Sequence, residues 1–323
     1  MARIAQDGVR PPYRNDKEMR VLITGGAGYI GMSLIHRLMD DESISEIVIY
    51  DNMARSNYAF FVGERYAVPS KCTFVRGELM DSRLLTASLR GIDVVIHLAA
   101  KVSTPFSDSD AHAYDQVNHW GSAQLANAVE ENGVARVIYL SSASVYGSTE
   151  MPVNEHYAPA PNTFYGISKL AGEKKLRRLQ DNCEVYILRA ANVYGYNPAM
   201  RIDAVLNKFL FLANYHGRIS VEGDGQQYRA FIHVDKLAQT LEQLCTVDMK
   251  PGIYNLCEHN LTIQNLVREV RQLYPELEVL SINHNMPMRS IQVDTQSKIL
   301  DHIQLQERSL QEELLDMKQH FRF

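Results

Sequence analysis

Thr24-Gly25-Gly26-Ala27-Gly28-Tyr29-Ile30-Gly31 follows the apolar run Val21-Leu22-Ile23 and precedes the helical spacing of Leu34, Ile35 and Leu38. A strand, a glycine turn and a helix N-terminus come in that order. The arrangement aims backbone N–H groups and the positive end of a helix dipole at a pyrophosphate. The glycines at 25, 28 and 31 are spaced Gly-x-x-Gly-x-x-Gly, so the strand before and the helix after carry the reading. Asp51 closes the second strand, twenty residues beyond Gly31. A carboxylate there can accept both hydroxyls of an adenosine ribose and repels a 2′-phosphate, which favours NAD over NADP. Arg55 is the opposing signal, because a guanidinium can reach a phosphate.

Outward from this turn, short Val- and Ile-rich runs alternate with helical stretches. Strands are predicted at Arg20 to Thr24, Glu46 to Tyr50, Thr73 to Arg76, Asp93 to His97, Arg136 to Ser141 and Glu184 to Leu188. Helices are predicted over 29–40, 81–90, 113–132 and 163–180. Continuous apolar strands separated by helices imply a parallel sheet buried on both faces, hence an α/β, doubly wound fold. After Tyr194-Gly195 the rhythm loosens. A helix near 203–215, a strand at Ile219 to Glu222, and helices near 235–246, 261–274 and 307–320 suggest a smaller cap. The expected organisation is a polar tail at 1–18, a cofactor domain at 19–190 and a mainly substrate-binding cap at 191–323, with an interleaved boundary.

Composition narrows the function. The chain has 323 residues and a formal net charge of -5, with no basic face to suit a nucleic acid. Cys72, Cys183, Cys245 and Cys257 are widely spaced, and no Cys-x-x-Cys or His-Glu-x-x-His occurs, so no metal site is signalled. No stretch is apolar enough to span a membrane, and the first eighteen residues lack the apolar core of a secretory signal. A cytoplasmic enzyme with free thiols is the expectation.

Tyr165-Gly166-Ile167-Ser168-Lys169 places a phenol and an ammonium at i and i+4 on one face of a helix capped by Asn162 or Thr163. A phenol is a poor base at neutral pH. An adjacent ammonium and the helix dipole would favour the phenolate, letting Tyr165 take a proton from a sugar or alcohol hydroxyl as hydride leaves the same carbon. Leu140-Ser141-Ser142-Ala143-Ser144 ends the fifth strand, where ligands of such sheets sit. A hydroxyl there can hold the reacting oxygen near the phenol.

The chain resembles the extended short-chain dehydrogenase/reductase family in its nucleotide-sugar epimerase and dehydratase branch. The matching pieces are TGGAGYIG at 24–31, YDN at 50–52, HLAA at 97–100, SSASVYG at 141–147, YGISK at 165–169, LRAANVYG at 188–195 and RAFIHVD at 229–235. The resemblance implies a Rossmann-like doubly wound parallel sheet with a smaller C-terminal α/β substrate cap, and NAD as cofactor. It implies that Gly25, Gly28 and Gly31 line the pyrophosphate turn, with Tyr29 and Ile30 at the helix start. Asp51, with Asn52, would meet the adenosine ribose, and Glu78 and Leu79 the adenine; the family's usual residue at 78 is Asp. Ala99, Ala100 and Lys101 would border the nicotinamide, and Asn118 would support the active-site helix beside the cofactor. Ser142, Tyr165 and Lys169 would be the catalytic triad, with Lys169 also gripping the nicotinamide ribose.

On the substrate side the resemblance implies Asn192 and Arg229 at a diphosphate, with Arg289 a further candidate for that role. Ser142 and Ser144 would border the sugar. The helical pattern at 199–212 sets Asp203 and Asn207 on one face, either toward the sugar or base or as an ordinary amphipathic helix. Dehydratases of this pattern carry Asp-Glu after the catalytic Ser/Thr, whereas this chain has Ala143 and Ser144. The expectation is therefore an NAD-dependent nucleotide-sugar epimerase working through a 4-keto intermediate. A 4-ketoreductase, then a dehydratase or a non-catalytic dinucleotide-binding regulator, are the alternatives. Residues 101–110, including Thr104, Pro105 and Phe106, would form a loop over the sugar. A homodimer is implied through the helices near 113–132 and 163–180, with Leu125, Ala126 and Val129 either as its seam or as internal core.

Overall fold

The computed structural model describes residues 18–61, 71–102, 110–282 and 289–321. The polar tail and the residues Thr104, Pro105 and Phe106 of the expected sugar loop lie outside the described residues. The six predicted strands are present as β1 (Met19–Thr24), β2 (Ile44–Asp51), β3 (Cys72–Arg76), β4 (Val94–His97), β5 (Arg136–Ser142) and β6 (Glu184–Ala190). The helices between them are α1 (Tyr29–Asp40), α2 (Ser82–Ser88), α3 (Ala111–Tyr114), α4 (Gly121–Asn132) and α5 (Phe164–Arg177). Helices α3 and α4 are joined by a π-helical stretch, Asp115–Trp120, so the single helix predicted over 113–132 carries a widened turn in its first half.

The strands pair in parallel, in the order β3-β2-β1-β4-β5-β6. Successive strand residues point to opposite faces. Val21 and Ile23 join the apolar layer that contains Leu34, Ile35 and Leu38 of α1, whereas Leu22 joins the layer containing Leu85, Leu125 and Leu176 of α2, α4 and α5. This is the Rossmann-like, doubly wound arrangement. Leu125, Ala126 and Val129 are fully buried within that second layer, so they are core and not a seam for a second subunit.

Beyond β6 the chain forms β7 (Asn192–Tyr194), α6 (Val205–His216), β8 (Arg218–Glu222), β9 (Tyr228–His233), α7 (Val234–Gln243), β10 (Gly252–Leu256), β11 (His259–Thr262), α8 (Ile263–Leu273), β12 (Glu278–Ile282) and α9 (Leu310–His320). Strands β7, β9 and β11 make a small mixed sheet, and β8 pairs with β12. A separate apolar cluster, including Tyr194, Phe209, Phe231, Leu266 and Leu314, holds this part together. Strand β10, which the apolar pattern did not predict, returns to pair in parallel with β6 and becomes the seventh strand of the main sheet. Helix α7 packs on α1 in the first apolar layer.

The junction of β1 and α1 has no spare room. A Cβ on Gly31 would lie 2.2 Å from the carbonyl oxygen of Gly26. A backbone neighbour cannot give way as a side-chain tip can. Gly31→Ala is therefore expected to cost about 1–3 kcal/mol through overpacking, read as a lowered urea midpoint with an unchanged m-value.

Candidate active site

The carboxyl ends of β1, β2, β4 and β5 open onto a cleft of about 1740 Å³. It lies where the strand order runs outward in both directions from β1 and β4, the place where such sheets bind ligands. A pocket for one small ligand is roughly 300–1,000 Å³; this cleft has room for two laid side by side.

Gly25, Gly28, Tyr29, Ile30 and Gly31 form one wall. Tyr29 turns its ring away, buried, and its hydroxyl donates to the Gly195 carbonyl at 2.6 Å. Its share of the turn is backbone. At the end of β2, Asp51 Oδ2 accepts the Ala27 N–H at 3.1 Å and Oδ1 accepts the Met53 N–H at 2.7 Å. The carboxylate thus ties the glycine turn to its own strand. Each of its oxygens can accept a further hydrogen bond. Burial raises its pKa against the two N–H donors that lower it. Arg55 lies near Asp203 of the opposite wall, at 3.9 Å. Asn52 donates to Glu78 Oε2 at 3.0 Å, and Leu79 is buried beside them at the cleft. Ala99, Ala100 and Lys101 line the cleft at the end of β4. A glycine turn, a ribose-height carboxylate and small residues opposite them form a cradle that suits a dinucleotide: the turn and Asp51 could hold the adenosine diphosphate half, and Ala99 to Lys101 could border the nicotinamide half.

Asn118 is not on the cleft wall. It is fully buried on the π-helical turn, where its carboxamide accepts the Lys101 N–H at 2.8 Å and donates to the Lys101 carbonyl at 2.9 Å and to Ser168 Oγ at 2.9 Å. The widened turn lets one side chain bridge the end of β4 and α5. These bonds tie Lys101 to helix α5.

Helix α5 is capped by Thr163, whose Oγ1 accepts the Gly166 N–H at 3.0 Å. A Cβ on Gly166 would sit 2.6 Å from the Ser144 carbonyl oxygen, so the helix start presses on the loop after β5. This brings Tyr165 beside Ser142, whose hydroxyl helps to lower the pKa of the phenol. The Tyr165 ring also meets Tyr114 edge-on, with centroids 6.2 Å apart. Lys169 lies deeper, 2% exposed, with Nζ 4.1 Å from the centre of the Tyr139 ring.

The electrostatics differ from the simple expectation. Burial raises the Tyr165 phenol, and the groups that lower it are first Ser142, by its hydrogen bond, and then Arg201, by its charge. Burial pulls the Lys169 ammonium down to about 7, against the Glu173 carboxylate, which holds it up. Desolvation thus opposes a charge on Lys169 beside the phenol, and Glu173 supports it. Arg201 lines the cleft and is ion-paired with Asp203 at 2.5 Å. No motif marked it; its position two residues before Asp203 was the available signal.

On the far wall stand Ser144, Asn192, Asp203, Arg229 and Arg289. Asn192 donates to the Ala230 carbonyl at 2.9 Å, which turns its carboxamide along β9. Arg229 donates to the backbone carbonyls of Tyr228 and Arg289, and burial together with the Arg289 charge presses it down to about 10. Two guanidiniums on one wall could hold a diphosphate. Asn207 does not reach the cleft: it is fully buried, accepting the Gly195 N–H at 3.2 Å and donating to the Arg201 carbonyl at 3.0 Å. It braces the loop that carries Arg201 and Asp203. Among the described residues, Glu258, His259 and Glu313 could together hold a metal ion, but the Lys236 ammonium already pairs with both carboxylates.

Two outcomes follow. Lys169 holds its proton less tightly folded than unfolded, so without nucleotide the fold gains stability as pH rises from about 7 to about 10.5. Lys169→Met should flatten that rise in thermal unfolding measured across the window. Asp51→Asn should weaken NAD binding about ten- to a hundredfold by removing a charged acceptor, read by calorimetric titration.

A family model, NAD dependent epimerase/dehydratase, matches residues 21–257. The dTDP-D-glucose 4,6-dehydratase of Mus musculus is 32% identical over 268 residues, covering 80% of this chain and 73% of that one. The UDP-glucose 4-epimerase of Azospirillum brasilense is 35% identical over 239 residues, covering 68% of this chain and 66% of that one. In three dimensions the chain superimposes on MoeE5 in complex with UDP-glucose and NAD with a TM-score of 0.79 at 26% identity, covering 93% of this chain and 97% of that one. With the dinucleotide cradle and the Ser142, Tyr165 and Lys169 cluster in one cleft, the chain belongs to the NAD-dependent epimerase/dehydratase family, enzymes that act on nucleotide sugars with NAD as cofactor.

Proposed function

We propose that this enzyme is a nucleotide-sugar 4-epimerase. The observation that carries the reading is the loop after Ser142. Ala143 is buried and Ser144 faces the cleft, so no carboxylate follows the serine. The carboxylates on the described cleft wall are Asp51, Glu78, Asp110, Asp203 and Glu222, none of them on that loop. Eliminating water from a sugar needs an acid and a base at the reacting carbons; oxidising and re-reducing C4 needs only one proton carrier.

In this reading residues 19–190 chiefly bind the cofactor and 191–323 the substrate. NAD, when bound, supplies the acceptor and then the donor of hydride. Tyr165 takes the proton of the C4 hydroxyl and later returns it. Ser142 holds the same oxygen within reach of the phenol, and Arg201 steadies the phenolate by its charge. Arg229 and Arg289 grip the diphosphate, so that the flat 4-keto sugar can turn while its tether stays fixed. The similarity to dehydratases supports the alternative of 4,6-elimination, and product mass separates the two.

The protein should be purified, denatured and assayed for released nucleotide, then offered UDP-, dTDP-, GDP- and CDP-sugars without added cofactor. Bound NAD or NADH with a product of unchanged mass and inverted C4 is expected. A product lighter by one water would replace the reading with a dehydratase, and an empty protein that consumes NADPH with a ketoreductase. Tyr165→Phe should lower kcat about 10²- to 10⁴-fold while NAD remains bound.

The working form is proposed to be a cytoplasmic homodimer. Trp120, Phe164 and Ile167 are exposed along α5 and the π-helical turn, an apolar face on the expected helices. Light scattering should give twice the chain mass, and Ile167→Glu should give monomer.

A further inference from the structure

Behind the active-site helix a line of buried polar groups crosses the sheet. Glu173 lies one helical turn beyond Lys169 on α5, its side chain 2% exposed. Arg189 on β6 holds both carboxylate oxygens, with Nε to Oε1 at 3.0 Å and Nη2 to Oε2 at 2.7 Å. Ser141 Oγ donates to Oε1 at 2.5 Å. The second guanidinium arm donates to the Tyr146 hydroxyl at 3.0 Å, which donates to Asn255 of β10 at 2.7 Å. Neither Glu173 nor Arg189 lines the cleft. An ion pair this deep is often no more stable than apolar side chains of the same volume, so stability alone does not explain its place.

The groups around Lys169 show what it does. On β5, Tyr139 gives its ring face to Nζ. On β4, His97 stacks on Tyr139 and is held between Thr24 and Ser122, with burial and the nearby lysine pulling it down to about 3, hence neutral. On the same helix as Lys169, burial raises the pKa of the Tyr165 phenol. On the π-helical turn, Asp115 and His119 pair with each other at the surface. On α4, Glu130 faces Arg178. Among the described residues, the charge that acts on the ammonium is Glu173, with Arg189 paired behind it.

We propose that Glu173 and Arg189 are positioning residues that set the charge of Lys169: the carboxylate, one helical turn away and fixed by three hydrogen bonds, keeps the ammonium protonated in a desolvated site, and Arg189 limits how strongly it does so. The pair thereby tunes the grip of Lys169 on a nucleotide ribose and its field at Tyr165, a consequence that rests on the reaction proposed above. The electrostatic claim itself does not.

The test reads the lysine directly. In full-length protein labelled with 13C-lysine, the Cε resonance that disappears in Lys169→Arg is followed from about pH 5 to pH 10. Glu173→Gln is expected to lower its midpoint by about one pH unit or more, Glu173→Asp to leave it near the wild-type value, and Arg189→Met to raise it. Should Glu173→Gln not fold, the double variant Glu173→Met/Arg189→Met, which fills the space with apolar side chains, decides: its midpoint falls, by less than Glu173→Gln would give. A midpoint unmoved in whichever of these two folds overturns the proposal and leaves the pair a structural brace. Because the readout is a resonance, a shifted midpoint in a protein without epimerase activity removes the proposed reaction and leaves the pair's role standing.

Discussion

The Glu173–Arg189 ion pair joins α5 to β6 from inside the protein, and Asn118 joins the same helix to the end of β4. Between these two anchors the helix has no freedom to slide. Thr163 caps its first turn and Gly166 sets it against the loop after β5. Tyr165 and Lys169 therefore arrive at the cleft with their relation to Ser142 already fixed. Rigid placement of this kind is what lets a weakly basic phenol work: a proton carrier must lie within hydrogen-bond reach of the atom it serves before its basicity matters.

The cleft is divided by charge. At one end the turn of backbone N–H groups and the Asp51 carboxylate would suit a neutral ribose beside a phosphate bridge. At the other, Arg229 and Arg289 stand together, with burial and their own repulsion lowering the proton affinity of Arg229. An anion placed between two guanidiniums would relieve that repulsion. Arg201 lies on the same cleft, pairs with Asp203, and lowers the pKa of Tyr165 by its charge.

Much of this was legible because it is local. The strand–turn–helix at 19–40, the alternation of apolar runs with helices, and the i, i+4 spacing of Tyr165 and Lys169 depend on neighbours a few residues away. The strand-end position of Asp51 and, by family resemblance, Arg229 and Arg289 also pointed to residues that line the cleft. What it could not reach depends on distant partners. The face carrying Asn207 was open to two readings, toward the sugar or base or as an ordinary amphipathic helix; its partners are backbone groups of residues 195 and 201, which only the folded chain brings near. Glu173 looked like any helix acid until Arg189 met it from β6. The spacing showed an ammonium beside the phenol but not how deeply it is buried, which is what pulls the Lys169 pKa down. Strand β10 was missed because Gly252 to Leu256 contains the polar Asn255, whose side chain is satisfied only by the remote Tyr146 hydroxyl and Val153 carbonyl.

Strand β10 has a consequence for how the protein is made. The parallel sheet that carries the dinucleotide turn is complete only when Leu256 pairs with Ala190. While the chain is being synthesised, everything needed for the glycine turn leaves the ribosome long before the sheet can close. Until about 66 further residues follow β6, that strand is a bare hydrogen-bonding edge, open to pairing with another nascent chain. Synthesis rate and chaperone access over this interval therefore bear on how much protein reaches the native state, and a fragment cut after the sixth strand would carry the cofactor turn on a sheet that invites aggregation.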